Sequence, residues 1–263
     1  MKLVASVLAL SSAFTLINAQ AAEKPTITLV HGAFEDAHIW QGVESGLKAD
    51  GYNVITVDLP GRPGASPSAP DQVSLDLYRD TVLDAISKVK QPVVLVGHSF
   101  GGVTISDVAE AAPQKIKTLV YVAAYLPKDG DSLLTLATSD KDSKAGPHLQ
   151  ILKDKGIASI DYSARADLFA NDGPAGLRSA IPNLILDEPL GPLVTPVHLS
   201  AQRFGSVDKV YVHTAKDQVV SPALQAAMVT ATPVRYEATL NTGHTPFLTD
   251  VPGLTAAIEK AAH

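Results

Sequence analysis

The pentapeptide Gly97-His98-Ser99-Phe100-Gly101 places a reactive hydroxyl group in a defined setting. It follows the apolar run 92–96, which is typical of a buried strand, and precedes a stretch typical of a helix. A strand that turns sharply into a helix holds the serine in a strained conformation at the carboxyl edge of a sheet. Side chains at the two flanking glycine positions would collide with the strand and the helix. The pattern therefore predicts that Ser99 is a nucleophile.

A serine hydroxyl attacks only when a base takes its proton and an acid orients that base. With the serine in such a turn, the partners follow in the order aspartate or glutamate, then histidine. Asp217 follows the predicted strand 209–213, and His244 follows the last predicted strand. We therefore expect Ser99, Asp217 and His244 to form a catalytic triad. Asp131, which follows the preceding strand, is the alternative acid.

Attack on a carbonyl group places negative charge on its oxygen, and two backbone N–H groups can stabilise that charge. Phe100 is expected to supply one, because it directly follows the nucleophile at a helix N-terminus. The other is expected from the loop His31-Gly32-Ala33-Phe34, where glycine lets the backbone approach a substrate closely. We assign it to Ala33, with Phe34 as the alternative. The simpler interpretation is that residues 31–32 only turn the chain.

The remaining histidines fit this chemistry less well. His98 lies inside the turn and is expected to pack or to bond to backbone, and His213 belongs to a strand. His148 and His198 fall in a segment rich in loops, and His263 is in the C-terminal tail. No set of histidines and carboxylates has the spacing of metal ligands, so we expect no metal site.

The composition predicts a folded protein with a large core. Hydrophobic residues make up 46% of the 263 residues and charged residues 18%, which excludes a disordered chain. The net charge of −6, with no block of lysine or arginine, argues against nucleic acid and anionic membrane surfaces as partners. The chain has no cysteine, which excludes disulfide bonds and thiolate chemistry.

Residues 1–21 have the pattern of a secretory signal peptide. Lys2 gives a short positive region, residues 3–16 are apolar, and Ala19-Gln20-Ala21 is a cleavage site of the small-x-small type. The alternative is an amphipathic or core helix, but the stretch has no polar face and is short for a membrane span. We therefore expect an exported protein, periplasmic or secreted, without a stable membrane anchor, whose folded domain covers residues 22–263.

Six apolar runs have the length of buried strands and alternate with segments typical of helices. Such near-continuous apolar strands indicate a parallel sheet that is covered on both faces. Ser74 is placed to cap a helix over 75–90. The strands are expected at 26–30, 53–57, 92–96, 118–122, 209–213 and 234–239, and further helices at 41–50, after Ser99, around 223–228 and from Leu254.

The pattern changes between residues 127 and 205. Strand signals are absent there, proline and glycine punctuate short segments, and apolar residues occur in patches. An insertion into a doubly wound sheet lies above the carboxyl edge of the strands, where ligands bind in such folds. We interpret residues 127–205 as a helical cap over the site. The alternative is a set of surface loops and helices with no role in substrate binding.

Together these motifs resemble the α/β-hydrolase superfamily. The resemblance is carried by residues 29–34 with Trp40 following, by Asp58-Leu59-Pro60-Gly61, by the turn at Ser99, and by Asp217 and Gly243-His244. It extends over nearly all of the chain after the predicted signal. The first loop is similar to that of the branch with small bacterial esterases, plant methylesterases and hydroxynitrile lyases. This resemblance implies an α/β-hydrolase fold: a mostly parallel, eight-stranded sheet, helices on both faces, a helical cap and no cofactor.

Two positions distinguish the chemistries of that branch. The lyases have a threonine where this chain has Gly32, and a lysine directly after the catalytic histidine, where this chain has Thr245. Both differences favour hydrolysis. The resemblance therefore implies a serine carboxylesterase that cleaves a small, largely apolar ester through an acyl-enzyme intermediate.

Substrate contacts are expected from His31, Gly32, Phe34 and Tyr125, which flank the predicted reacting centre. The same scaffold supports amide or lactone hydrolysis, cofactor-free perhydrolysis and carbon–carbon cleavage of the hydroxynitrile-lyase type, and these alternatives stay open. A ligand-binding protein with a vestigial triad is the alternative outside enzymes, and it would have no need of a serine, an aspartate, a histidine and an oxyanion loop together.

Overall fold

The computed structural model describes residues 23–67 and 69–263, so the predicted signal peptide lies outside the described residues. The strands of the described residues are β1 (Ile27–Val30), β2 (Val54–Val57), β3 (Val93–His98), β4 (Ile116–Val122), β5 (Leu149–Leu152), β6 (Ile157–Ile160), β7 (Glu188–Pro189), β8 (Asp208–Thr214) and β9 (Tyr236–Leu240). Six of them form the central sheet, in the order β2-β1-β3-β4-β8-β9, and each neighbouring pair is parallel.

The central sheet confirms the predicted fold class but not its predicted size. Each of the six strands expected from the apolar runs is present. The eight strands that the resemblance implies are not confirmed, because the described residues give the sheet six. Strands β1 and β3 are buried along their whole length, since helices cover both faces of the sheet.

Helices cover the two faces of this sheet. Val43 and Leu47 pack on one face with Leu254 and Ile258, and the other face is covered by a separate cluster that includes Tyr78. Among the described residues, none of the helices has both the length and the apolar character of a membrane span. The helices are α1 (Gln41–Ala49), α2 (Leu75–Ala85), α3 (Gly101–Ala111), α4 (Leu133–Ser139), α5 (Arg165–Phe169), α6 (Ala175–Ala180), α7 (Leu190–Val194), α8 (Pro222–Ala231), α9 (Pro246–Thr249) and α10 (Val251–Ala262).

Helix α2 begins as predicted but ends early. The hydroxyl of Ser74 accepts the N–H of Leu77, 3.1 Å away, and so caps the first turn. The helix ends at Ala85 rather than at residue 90. At that end the hydroxyl of Ser87 donates to the carbonyl of Asp84, a local bond that competes with continued helix.

Residues 127–205, which we call the cap, lie between β4 and β8 in the chain and contain helices α4 to α7. The expectation that this segment has no strands is wrong. Strands β5, β6 and β7 form a separate antiparallel sheet. They are only two to four residues long, too short to give a clear alternating pattern in the sequence.

Candidate active site

Ser99, His244 and Asp217 form a continuous hydrogen-bonded chain at the carboxyl edge of the sheet. The Nε2 atom of His244 lies 3.1 Å from Ser99 Oγ, and its Nδ1 atom lies 2.9 Å from Asp217 Oδ2. A carboxylate only accepts hydrogen bonds, so Nδ1 carries the proton and Nε2 is free to accept from the serine. The three side chains are buried. The geometry is that of a nucleophile, a base and an orienting acid.

The turn that presents Ser99 depends on close contacts between backbones. Ser99 has φ of 51°, in the left-handed region that costs a non-glycine residue of the order of 1–3 kcal/mol. A Cβ atom on Gly97 would lie 2.6 Å from the carbonyl oxygen of Gly101, and one on Gly101 would lie 2.8 Å from that of His31. Only glycine fits at both positions, and this lets β3 and α3 meet at the sharp angle that places the Ser99 hydroxyl group at the carboxyl edge of the sheet.

Asp217 is held in place by four hydrogen bonds besides the one from His244. It accepts from Thr214 Oγ1 at 2.8 Å, from the N–H groups of Val219 and Val220 at 2.8 and 3.0 Å, and from Gln225 Nε2 at 3.3 Å. These donors compensate for the burial of the carboxylate and fix its orientation. The loop after β8 therefore holds an acid that is aimed at the histidine.

The environment of His244 makes it a stronger base. Burial alone lowers the pKa of this imidazole, but the charge of Asp217 and its hydrogen bond outweigh burial, and the pKa is raised above its ordinary value. A base of raised pKa takes a proton from serine more readily, provided that the imidazole is neutral at the start.

The loop after β1 leaves one backbone N–H group free between two that are bound. Gly32 N–H donates to Glu35 Oε2 at 3.1 Å, and Phe34 N–H donates to Glu188 Oε2 at 2.9 Å. Within the described residues, the N–H groups of Ala33 and Phe100 have no hydrogen-bond partner. Phe34 is thus occupied, which favours Ala33 of the two residues that the sequence left open.

A buried ion pair fixes this loop to the cap. Glu188, in β7, is fully buried; its Oε2 atom accepts from Arg62 at 2.5 Å and its Oε1 atom from Tyr78 at 2.8 Å. Arg62 also donates to the carbonyl oxygen of Glu35 at 2.6 Å. The carbonyl group of Phe34 accepts the N–H of Leu186 at 2.8 Å. The cap therefore binds both polar backbone groups of Phe34, whose φ of 66° is again in the left-handed region.

A cavity of about 500 Å³ opens beside Ser99 under the cap. Phe34 and Tyr125 line it, as expected. Gly32 approaches the nucleophile, since a Cβ atom on it would lie 2.8 Å from Ser99 Cβ, but it does not line the cavity. Most of the lining is apolar: Ala33, Leu133, Leu134, Ala137, Leu149, Ile151, Ile160, Phe169, Leu190, Leu193, Val194 and Val219.

The structure does not place His31 against the cavity, although the sequence predicts that it contacts substrate. His31 is fully buried and does not line the cavity. Its Nδ1 atom lies 2.8 Å from the carbonyl oxygen of Gly32, and its Nε2 atom accepts the N–H of Leu59 at 3.1 Å. Burial lowers the pKa of His31 well below its ordinary value, so this imidazole is neutral. It joins the loop after β1 to the loop after β2.

The other candidate residues lie outside the hydrogen-bonded chain. Asp131 accepts the N–H of Lys128 at 2.9 Å, a local turn contact, and makes no hydrogen bond to His244 in the described structure. The side chains of His148, His198 and His213 each face a carboxylate, at 3.3, 3.8 and 2.7 Å. His263 lies 3.3 Å from a tyrosine hydroxyl. Among the described residues, no group of three or more His, Cys, Asp or Glu could hold a metal ion.

The sequence analysis missed Glu35, Arg62 and Glu188. Arg62 and Glu188 are 126 positions apart, and no short motif joins them. Glu35 directly follows the loop 31–34, and this position is the one signal in the sequence that points to it. His98 was expected to bond to backbone, and its Nε2 atom lies 2.8 Å from the carbonyl oxygen of His244.

Curated proteins similar to this chain include esterases of plants and bacteria. Methyl jasmonate esterase 1 of Vitis vinifera is 27% identical over 248 residues, which cover 88% of this chain and 94% of that protein. The pyrethroid hydrolase of Sphingobium wenxiniae is 26% identical over 209 residues, which cover 77% of this chain and 74% of that protein. Five Arabidopsis thaliana proteins that are named putative chloroplastic methylesterases are 27 to 30% identical, and the chain spans only 52 to 61% of their length.

Solved structures with a similar fold cover nearly the whole chain. A pyrethroid hydrolase from Sphingobium faniae JZ-2 superposes with a TM-score of 0.81 at 25% identity, over 90% of this chain and 97% of that one. Polyneuridine aldehyde esterase superposes with a TM-score of 0.81 over 91% of this chain and 100% of that one. Its sequence is only 18% identical, so this similarity shows the fold alone. The model of the alpha/beta hydrolase family matches residues 29–258, and the chain belongs to that family.

Proposed function

We propose that the protein is a serine carboxylesterase. The observation that carries the proposal is the chain from Ser99 through His244 to Asp217, which lies at the base of an apolar cavity. The free N–H groups of Ala33 and Phe100 beside it support the same reaction. Relatives named as esterases and as a pyrethroid hydrolase support the same class.

In the first half of the proposed reaction, Ser99 Oγ attacks the ester carbonyl carbon while its proton moves to His244 Nε2. The carbonyl oxygen becomes an oxyanion and accepts hydrogen bonds from Ala33 and Phe100. His244 returns the proton to the alkoxide as the bond from carbon to the leaving oxygen breaks. The alcohol leaves, and the acyl group stays on Ser99.

In the second half, His244 takes a proton from water, and the resulting hydroxide attacks the acyl carbon. The oxyanion forms again at the same two N–H groups. His244 then returns its proton to Ser99 as the acyl bond breaks, which releases the carboxylic acid. Throughout, Asp217 stays ionised and stabilises the protonated imidazole.

The cavity supports a neutral, apolar ester as substrate. Its volume of about 500 Å³ is within the range of sites for drug-sized ligands. Aliphatic and aromatic side chains line most of it, and only two of its lining residues, Asp140 and Lys141, are charged, so most of the cavity would remove the hydration of a charged group without offering it a partner. The substrate class we propose is therefore an uncharged ester with an apolar body.

The residue after the histidine supports hydrolysis rather than cyanohydrin cleavage. Departing cyanide is an anion, which needs a cationic or donating partner in a buried site. Thr245 is neutral, and its hydroxyl donates to the carbonyl oxygen of Phe169 at 2.5 Å. Gly32 has no side chain to hold the cyanohydrin hydroxyl group.

The test is turnover of p-nitrophenyl butyrate and covalent labelling by a small fluorophosphonate. We expect the wild type to do both and Ser99→Ala to retain at most about a thousandth of the turnover, with no labelling. Mandelonitrile should be cleaved no faster than in buffer. A wild type that neither hydrolyses the ester nor labels contradicts the esterase, as does mandelonitrile turnover that equals ester turnover and needs Ser99.

Export remains a prediction from the first 21 residues. In an exporting host, the mature N-terminus is expected at Ala22 or Glu23. N-terminal sequencing of periplasmic or secreted material tests this, and exported protein that still begins at Met1 contradicts it.

A further inference from the structure

A second pair of carboxylate and imidazole, Glu35 and His98, lies directly behind the triad. His98 is fully buried and Glu35 is 2% exposed, and His98 Nδ1 lies 2.9 Å from Glu35 Oε2. The ring centroids of His98 and His244 are 4.6 Å apart. The rings of Trp40 and Phe247 close the other sides, with centroids 6.4 and 4.8 Å from that of His98. The reaction described above makes no use of this pair.

The partners of His98 fix how many protons the pair holds. The His244 carbonyl oxygen, 2.8 Å from His98 Nε2, only accepts, so Nε2 must carry a hydrogen. In a neutral imidazole Nδ1 would then be a bare acceptor facing a carboxylate oxygen in a buried site. One further proton, on Nδ1 or on Glu35 Oε2, turns this repulsion into a hydrogen bond. It also leaves the pair with no net charge, which burial favours.

The charged groups around the pair are already paired with others. Arg62 donates to the backbone carbonyl of Glu35 but directs its charge to Glu188. Asp217 faces His244. His31 is neutral, because burial lowers its pKa. The proton between the two side chains therefore neutralises the Glu35 carboxylate.

The same carboxylate oxygen joins three catalytic loops. Glu35 Oε2 accepts the N–H of Gly32, 3.1 Å away, in the oxyanion loop. It binds His98, which directly precedes the nucleophile, and His98 binds the backbone of His244. One hydrogen-bonded path thus runs through the oxyanion loop, the nucleophile turn and the loop of the base.

We propose that Glu35 and His98 share one proton, and that they are positioning residues that hold these three loops in register. The positioning role rests on the proposed esterase function, whereas the shared proton does not. Neither residue lines the cavity, so they affect the reaction through His244 and Gly32 and not by touching the substrate.

The proton count is measured by NMR on the whole protein labelled with ¹⁵N-histidine. Two low-field proton resonances are expected at neutral pH, one from the N–H of His244 on Asp217 and one from the hydrogen bond between His98 and Glu35, whether its proton is bound to Nδ1 or to Oε2; the nitrogen label shows which atom carries it. Asp217→Asn should remove only the first, and Glu35→Gln only the second. A wild-type spectrum with just the resonance that Asp217→Asn removes overturns the shared proton, whether or not the protein hydrolyses esters.

Glu35→Gln also tests the positioning role, because it is close in shape but cannot satisfy both neighbours. An amide oxygen would accept from Gly32 but repel the bare Nδ1 of His98, and an amide NH₂ group would do the reverse. We expect kcat for p-nitrophenyl butyrate to fall about ten- to a hundredfold, since small misplacements of reacting groups have effects of this size. KM should stay within about twofold, because uniform substrate binding is unchanged.

A double variant and a matched control separate positioning from general destabilisation. Glu35→Gln combined with His98→Asn should lose no more kcat than the worse single variant, as expected of residues that act as a unit. The control is Ser106→Ala, which removes a fully buried hydroxyl bonded to Gly102 and Tyr121 at 2.7 Å, and kcat should be unchanged.

Additive losses in the double variant overturn the positioning role, and so does an equal loss of kcat in Ser106→Ala. A wild type without esterase activity contradicts the proposed function, and the positioning role with it, but leaves the NMR result on the shared proton intact.

Discussion

The two sides of the cavity differ in the interactions that form them: hydrogen bonds on the sheet side and apolar packing on the cap side. On the sheet side, Ser99, Asp217 and His244 are held by hydrogen bonds of 2.8 to 3.3 Å. On the cap side, side chains such as Leu149 and Leu193 can touch a ligand only by packing. Hydrogen bonds depend steeply on distance and angle, whereas packing depends on shape and volume. We therefore expect the sheet side to determine whether an ester reacts and the cap side to determine which ester reacts.

The largest expected effect is on the sheet side, at the acid. Asp217→Asn should lower kcat by about 10⁴-fold, because an amide favours the wrong tautomer of His244. The measurement is steady-state hydrolysis of p-nitrophenyl butyrate. Asp131→Asn is the matched control, since Asp131 is the rival acid and makes only a local turn contact. An active Asp217→Asn beside an inactive Asp131→Asn would reverse the assignment.

The next effect is expected where the two sides meet, at Glu188. Glu188→Ala leaves Arg62 buried without a counter-charge, which costs of the order of 3–5 kcal/mol, and frees the N–H of Phe34. We expect a loss of kcat of about a hundredfold together with a lower unfolding midpoint. Glu188→Gln, which keeps an acceptor for Phe34, should recover part of the activity.

The control for Glu188 is Glu110→Ala. Glu110 also accepts backbone N–H groups of residues distant in the chain, from Ser200 at 2.8 Å and from Phe204 at 3.1 Å. Neither of these residues belongs to the loop 31–34. Glu110→Ala should lose stability and keep kcat. If both variants lose kcat equally, the cap does not act through Phe34.

A moderate effect is expected from pH. The base must be neutral, and the pKa of His244 is raised by Asp217 against the opposing effect of burial. The acid limb of kcat/KM should therefore lie above the ordinary imidazole value of about 6.5, with activity falling as the pH drops through it. In Asp217→Asn, burial acts without the opposing charge, so the residual activity should have its acid limb at lower pH. An unshifted limb would contradict the coupling between the two residues.

The smallest effect is expected on the cap side. Ala137, in α4, lines the cavity, and Ala137→Phe would fill part of it. We expect kcat/KM for long-chain p-nitrophenyl esters to fall about tenfold relative to the acetate, since a pocket discriminates roughly 1–3 kcal/mol per methylene group. Labelling of Ser99 by a small fluorophosphonate should be unchanged. Ala226→Phe, on the exposed face of α8, controls for the larger side chain in a helix.

The sequence was sufficient to predict the strands and the triad on the sheet side, because each is marked by residues that are close together in the chain. The glycines around Ser99 are needed for the turn itself, and the loops after β8 and β9 each offer one suited residue, Asp217 and His244. Apolar runs of five or six residues predicted all six strands of the sheet, which are four to seven residues long. The environment of His31 could not be predicted in this way, because a histidine beside the site can bond to backbone on both nitrogens.

The cap could not be predicted in the same way, because its structure depends on contacts between distant residues. Strands β5 to β7 are short and obtain their stability from pairing with each other and from packing. The ion pair between Arg62 and Glu188 joins segments that no periodicity connects. Cavity shape follows from such contacts, so neither its volume nor its lining could be obtained from the chain's pattern.

The two hydrogen bonds that hold Phe34 limit how a substrate can enter the cavity. Leu186 and Glu188 bind the carbonyl and N–H groups of Phe34, so a cap that swung open at these residues would pull the oxyanion loop apart. Substrate must instead diffuse into a chamber that is already assembled. Ile151 and Val194 line that chamber and are 38% and 44% exposed, which marks its mouth. The width of this mouth therefore limits how bulky a molecule can be and still reach Ser99.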